Sequence, residues 1–128
     1  MRKIYSLKGT KAFSDVFRKG KRFGKEGVQL IVLRTKSSGD LSTENLTRDE
    51  RSKANLKIGI SMSSRFGNAI IRNKAKRRMR AICNELLPAL DEGYFIIVRP
   101  GNEFKSVDFD HAKMKVRHVF HKAGILKQ

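Results

Sequence analysis

The chain has 128 residues, of which 39% are hydrophobic and 32% are charged, enough for one domain with a modest core. Its 29 Lys and Arg residues outnumber 12 Asp and Glu, and the formal net charge of +17 favours a polyanionic partner, a nucleic acid before an anionic membrane surface. A single cysteine excludes an intrachain disulfide, no run reaches the roughly 18 apolar residues of a membrane span, and the first residues lack an apolar signal core, so we expect a cytoplasmic protein.

The first half of the chain has the patterns of one helix and two strands. Residues 10–19 place Phe13 and Phe17 four positions apart, which predicts a short helix. Residues 28–34 are apolar and β-branched, as is typical of a strand covered on both faces. Residues 56–63 alternate between apolar and small or polar side chains, which predicts a second strand.

The polar segment 37–53 contains four acidic residues and many turn formers, so we expect a flexible or inserted loop there. Residues 94–99 predict a third strand, and a last helix is expected after Ser106, running to about Lys122. The order α-β-β-α-β-α predicts an α+β two-layer sandwich, with a small mixed central sheet and about three helices.

The segment 65–80 is the most informative part of the sequence, since it contains seven Lys or Arg residues and no acidic residue. Asn68 can cap a helix that runs to about Leu87, where Pro88 stops it. At about 100° per residue, five side chains share an arc of about 140°, opposite a narrower apolar arc. The five are Arg72, Asn73, Lys76, Arg77 and Arg80.

This segment, between the strands GISMS and YFIIVRP, resembles the protein component of bacterial ribonuclease P. The match includes the Gly-Asn-Ala opening, the Arg-Asn pair, the Lys-Arg pair that follows it and a further Arg. The Phe13 and Phe17 pair, followed by Gly20, also matches. The resemblance covers nearly the whole chain except residues 37–53, and we therefore predict a single RNA-binding domain over 1–128.

The resemblance implies that a large RNA subunit performs Mg²⁺-dependent hydrolysis, which removes the 5′ leader from precursor tRNA. The protein is expected to bind that catalytic RNA and the leader, and to help metal ions bind; the Mg²⁺ is held mainly by the RNA. The resemblance also implies a left-handed β-α-β crossover, which the general preference for right-handed crossovers does not predict.

We expect the following residues to bind phosphates of the RNA subunit: Arg65, Asn68, Arg72, Asn73, Lys76, Arg77 and Arg80. The Asn73 amide also suits a hydrated metal ion bound to RNA, and its alternative role is a local cap. Lys74 and Arg78 point to a third side of the helix, where a phosphate contact and a merely solvated face are both open.

The predicted leader cleft contains Phe13, Phe17 and Ile31. Spacing alone favours the two phenylalanines as core anchors, whereas the resemblance favours stacking with leader bases. The family often has an aromatic residue at the position of Ile31 and a Lys at the position of Ser64, so this chain departs from the family pattern at both.

The sequence offers no protein active site, so we expect the chemistry to come from the RNA. The three histidines, His111, His118 and His121, lie in the last helix without a carboxylate ligand at matching spacing, and surface or RNA-contact roles are expected for them. The alternative function is a ribosomal or general RNA-binding protein without an enzymatic partner.

Overall fold

The computed structural model of the chain describes residues 7, 9–25, 27–34, 56–91, 93–105 and 107–126. The predicted loop 37–53 and Ser106 lie outside these residues. The helices are α1 (Thr10–Lys19), α2 (Ala69–Leu86) and α3 (Phe109–Lys122). The strands are β1 (Lys21–Lys25), β2 (Val28–Arg34), β3 (Leu56–Ile60) and β4 (Tyr94–Pro100). Short 3₁₀ turns span Ser64–Phe66, Leu87–Ala89 and Asn102–Lys105.

The four strands form one mixed sheet in the order β1-β2-β4-β3. Strand β2 pairs antiparallel with both β1 and β4, with Lys25 opposite Val28 and Ile31 opposite Ile97. Strand β3 pairs parallel with β4, so the chain crosses from β3 to β4 through α2. The left-handed sense of that crossover stays a prediction.

The expected α+β fold with three helices and a small mixed sheet is confirmed. The predicted element order lacked one strand, β1, because its sequence KRFGK contains a single large apolar residue among three cations and a glycine. An edge strand pairs on one side only and can be largely polar, so the alternation of apolar and polar residues that predicts strands is absent here. Gly27, at φ +84°, turns the chain from β1 back into β2.

The sheet is covered on both faces, with α2 and α3 on one face and α1 on the other. Val28, Leu30 and Val32 of β2 face the main core, which also contains residues of α2 and α3. Ile31 and Leu33 face the opposite side, where α1 packs. Helix α1 therefore forms a third layer, and the prediction that β2 is buried on both faces is confirmed.

One helix boundary and one strand boundary differ from the sequence expectation. Helix α3 begins at Phe109, not directly after Ser106, because the Asp108 carboxylate accepts from the His111 N–H and takes the N-cap position. Strand β3 ends at Ile60, after which the Ser61 N–H donates to the Val98 carbonyl at 3.0 Å. In the described ranges, no helix combines the length and the apolar character needed to cross a membrane.

Candidate nucleic-acid interface

Helix α2 begins at a cap that the sequence predicts. The Asn68 Oδ1 accepts from the Ile71 N–H at 3.0 Å, and Gly67 precedes it at φ +152°. A Cβ at Gly67 would lie 2.9 Å from Ile71 Cγ2, so glycine allows this tight start. Because the Asn68 oxygen belongs to the cap, its amide nitrogen is the group left for an RNA contact.

The inward side of α2 is defined by Met79, Ile82, Cys83 and Leu86, all buried in the main core. Relative to Met79, Arg72 is rotated by about 20°, and the other predicted site residues on this helix spread over about 60–160° on one flank. Arg72 and Lys76 are half-buried. Asn73, Arg77 and Arg80 are exposed, as is Arg65 in the preceding 3₁₀ turn.

These side chains form what we call the cationic flank: Arg65, Arg72, Asn73, Lys76, Arg77 and Arg80. None of its cations pairs with a carboxylate among the described residues, where ion pairs such as Arg18–Asp15, His111–Asp108 and Lys113–Glu85 lie elsewhere. The Nε atom of Arg72 is buried and has no hydrogen-bond partner in that part of the chain. The flank therefore presents positive charge that no described residue neutralises.

On the other side of the sheet, the two phenylalanines of α1 are both half-buried. Together with Gly9, Thr10 and Ser14 they line a shallow open depression, which we call the α1 depression. The Phe13 ring also packs on Gly59 of β3. Each ring is thus partly a core anchor and partly accessible, and stacking with leader bases stays a prediction.

Ile31 does not line this depression, which corrects the sequence prediction. It has no exposed surface and packs beneath α1 with Val16 and Ile97. The chain passes so closely above it that a Cβ at Gly20 would lie 2.7 Å from Ile31 Cγ2. A leader nucleotide therefore cannot touch Ile31 in this arrangement.

Sequence reasoning missed two arginines beside the depression. The guanidinium carbon of Arg99 lies 5.7 Å from the centre of the Phe17 ring, and that of Arg22 lies 6.0 Å from it. Arg22 also donates to the Phe17 carbonyl at 3.4 Å. Alternation in β4 was the available signal, since Arg99 is two residues after Ile97 and faces the same side.

In the described part of the chain, two titratable groups outside the cationic flank and the α1 depression have shifted pKa values with structural causes. Burial raises the pKa of the Cys83 thiol to about 12, so this thiol stays protonated and unreactive at neutral pH. Hydrogen bonds from His111, first from its backbone N–H and then from its ring, lower the pKa of Asp108. Among the described residues, no group of three or more His, Cys, Asp or Glu side chains has a metal-binding arrangement.

Comparison with known proteins places the chain among relatives of one kind. Residues 1–124 match the family model described as Ribonuclease P. The ribonuclease P protein component of Dictyoglomus turgidum is 33% identical over 114 residues, which are 88% of this chain and 96% of that protein. The corresponding protein of Oceanobacillus iheyensis is 28% identical over 127 residues, covering 99% of this chain and 93% of the relative.

Solved structures agree with this at the level of the fold. The RNase P protein of Staphylococcus aureus superposes with a TM-score of 0.74 at 20% identity, covering 96% of this chain and 98% of that one. The RNase P protein from Thermotoga maritima gives a TM-score of 0.69 at 24% identity, covering 88% and 92%. By its sequence over nearly the whole length, and in agreement with its fold, the chain belongs to the ribonuclease P protein family.

Proposed function

We propose that this chain is the protein subunit of a cytoplasmic ribonuclease P, which removes the 5′ leader of precursor tRNA. In this proposal, the cationic flank of α2 binds the catalytic RNA and the α1 depression binds the leader. The observation that carries the proposal is a row of cations without carboxylate partners in the described residues, within a chain that matches the Ribonuclease P family over residues 1–124.

The chemistry of the cationic flank suits RNA phosphates. Arginine guanidinium groups bind phosphate oxygens in a bidentate manner, whereas Lys76 offers a compact point charge. Arg72 has an additional reason to bind an anion, because its buried Nε lacks a partner among the described residues. An unsatisfied buried donor costs about 1–3 kcal/mol, and a phosphate oxygen would recover that free energy once the side chain turns its Nε to the surface.

The α1 depression suits an extended single strand of variable sequence. Bases stack on aromatic rings with about 1–3 kcal/mol each and little dependence on base identity. The guanidinium carbons of Arg22 and Arg99 lie 6.0 Å and 5.7 Å from the centre of the Phe17 ring, so a base at this ring has cations within reach of its own phosphates. A site that contacts the faces of bases and the phosphates, but not the base edges, tolerates leaders of many different sequences.

In this proposal, Mg²⁺ held mainly by the RNA supplies the hydrolytic chemistry. Asn73 is exposed on the cationic flank, and the local cap considered for it is instead made by Asn68. Its amide oxygen can accept a hydrogen bond from water bound to a metal ion on the RNA. The neighbouring cations lower the repulsion between RNA phosphates, which allows productive RNA folding at a lower Mg²⁺ concentration.

Recovery of bound RNA from cells separates this function from that of a ribosomal or general RNA-binding protein. A tagged full-length chain should retain one long structured RNA that cleaves precursor tRNA at high Mg²⁺. The triple variant R72A/K76A/R80A should lose this RNA, whereas R117A, which removes an exposed arginine of α3, should keep it. Recovery of mixed ribosomal RNA without cleavage activity would favour the alternative.

A further inference from the structure

A second cavity lies on the flank of α2 that faces away from the cationic flank. Its volume is about 370 Å³, within the range of about 300–1,000 Å³ that is common for small-molecule sites. Its floor is formed by Phe66 and Phe104, its inner wall by Ile71 and Ala75, and its rim by Lys74 and Lys105. We call it the α2 pocket.

Arg78 holds the outer wall of this pocket in place. Its guanidinium donates to the carbonyl of Phe104 at 3.4 Å and also to the carbonyl of Val107. These bonds fasten the 3₁₀ turn Asn102–Lys105 to α2, which explains why an arginine occurs on this side of the helix. Since Arg78 is engaged by the backbone, the charges available to a ligand are those of Lys74 and Lys105.

The pocket combines an apolar interior with a cationic rim. Among the residues that the structure describes, no acidic side chain lines it, and the two lysine ammonium groups therefore favour an anion at its mouth. Ile71 is 44% exposed at the wall, so a flat apolar group that covers it gains hydrophobic free energy. The Lys105 Nζ lies 5.3 Å from the centre of the Phe66 ring, which forms part of the floor.

We propose that the α2 pocket binds one unstacked nucleotide of the RNA partner. The base enters between Ile71 and Phe66 and takes the place of the Lys105 ammonium over the ring. That ammonium and the one on Lys74 then bind the phosphate. The proposal rests on the RNA-binding function above and adds a contact on the opposite flank, so that RNA holds α2 from both sides.

Methyl NMR of the full chain tests the chemistry of the pocket with adenosine 5′-monophosphate as the probe. The Ile71 and Ala75 methyl signals should shift saturably with this nucleotide and much less with ribose 5-phosphate, which lacks the base. Lys105→Glu should weaken the binding about tenfold, since it replaces an attraction by a repulsion. Arg117→Glu makes the same charge change on an exposed part of α3 and should alter the affinity less than twofold.

Equal shifts with ribose 5-phosphate, or equal losses in Lys105→Glu and Arg117→Glu, would overturn the pocket assignment. Ala75→Leu should block the base, because the larger side chain occupies space in the pocket. The methyl signals of the core check that this variant is folded. Because these titrations contain no RNA subunit, their failure leaves the proposed ribonuclease P function intact.

A crosslinking experiment tests whether the occupant is RNA. Ile71→p-benzoylphenylalanine should crosslink, on irradiation, to a single nucleotide of the cognate RNA subunit, mapped by primer extension. Met114, 54% exposed on α3, provides the matched control position. No crosslink at 71, or equal crosslinking at 71 and 114 in a complex that still cleaves precursor tRNA, would contradict the proposal.

Discussion

The ring of Phe13 packs against the backbone of Gly59 so closely that a Cβ on Gly59 would lie 2.5 Å from Phe13 Cζ. Helix α1 therefore contacts strand β3 where the Phe13 ring occupies the space that a side chain at Gly59 would fill. The contact sets the height of the ring above the sheet, and with it the floor of the α1 depression.

Gly59→Ala is expected to displace this ring. Overpacking of this kind costs about 1–3 kcal/mol, so the free energy of unfolding should fall by that amount in urea titrations. Gly24→Ala is the matched control, because a Cβ there meets only the Val28 carbonyl at 3.9 Å. Equal effects of the two substitutions would mean that the Phe13 contact does not determine the position of α1.

Alanine substitution of Arg72, Lys76 and Arg80 is expected to weaken binding of the RNA subunit. Each phosphate contact that is lost should flatten the slope of log affinity against log salt by about one unit. The measurement is a filter-binding series at several salt concentrations, with Arg117→Ala as the control. An unchanged slope in the triple variant would show that the cationic flank does not contact phosphates.

Phe17→Ala is expected to reduce the preference for precursor tRNA over mature tRNA, because one stacking platform worth about 1–3 kcal/mol disappears. The holoenzyme affinities for both tRNAs provide the measurement. Phe17→Leu serves as the control for packing, since it keeps an apolar side chain without an aromatic face. If affinity for the two tRNAs falls equally, Phe17 acts as a core anchor only.

Asn68→Ala is expected to lower the free energy of unfolding by about 1 kcal/mol, because the Ile71 N–H loses its capping oxygen. Asn68→Ser restores a capping oxygen and should recover most of that stability, as measured in urea. The serine variant then isolates the amide nitrogen: weaker RNA binding with normal stability indicates that Asn68 also contacts RNA. Unchanged binding in Asn68→Ser would remove Asn68 from the interface.

The sequence predicts those helices and strands whose buried and exposed faces produce a clear periodic pattern of apolar residues. Helix α1 and strand β2 have the boundaries that periodicity predicts, residues 10–19 and 28–34. Periodicity does not predict strand β1, because an edge strand that pairs on one side only can be almost entirely polar. Its pairing partner, not its own composition, makes it a strand.

The candidate site was predictable along α2 and less so around α1. Helical periodicity specifies which side chains of α2 share the cationic flank, because a constant rotation of about 100° per residue relates all side chains of one helix. The α1 depression depends on how a helix docks on a sheet, which local spacing does not specify. Hence Ile31 lies beneath α1, while Arg22 and Arg99 come next to Phe17 from different strands.

Reconstitution with the cognate RNA subunit is the decisive test of the proposal that this chain assists RNA-catalysed removal of the tRNA leader. The measurement is the rate of precursor tRNA cleavage at low Mg²⁺, with and without the full chain, and with R72A/K76A/R80A as the matched variant. We predict strong stimulation by the natural chain, little by the variant, and a smaller difference at high Mg²⁺. Equal cleavage with and without the chain at low Mg²⁺ would contradict the proposed function.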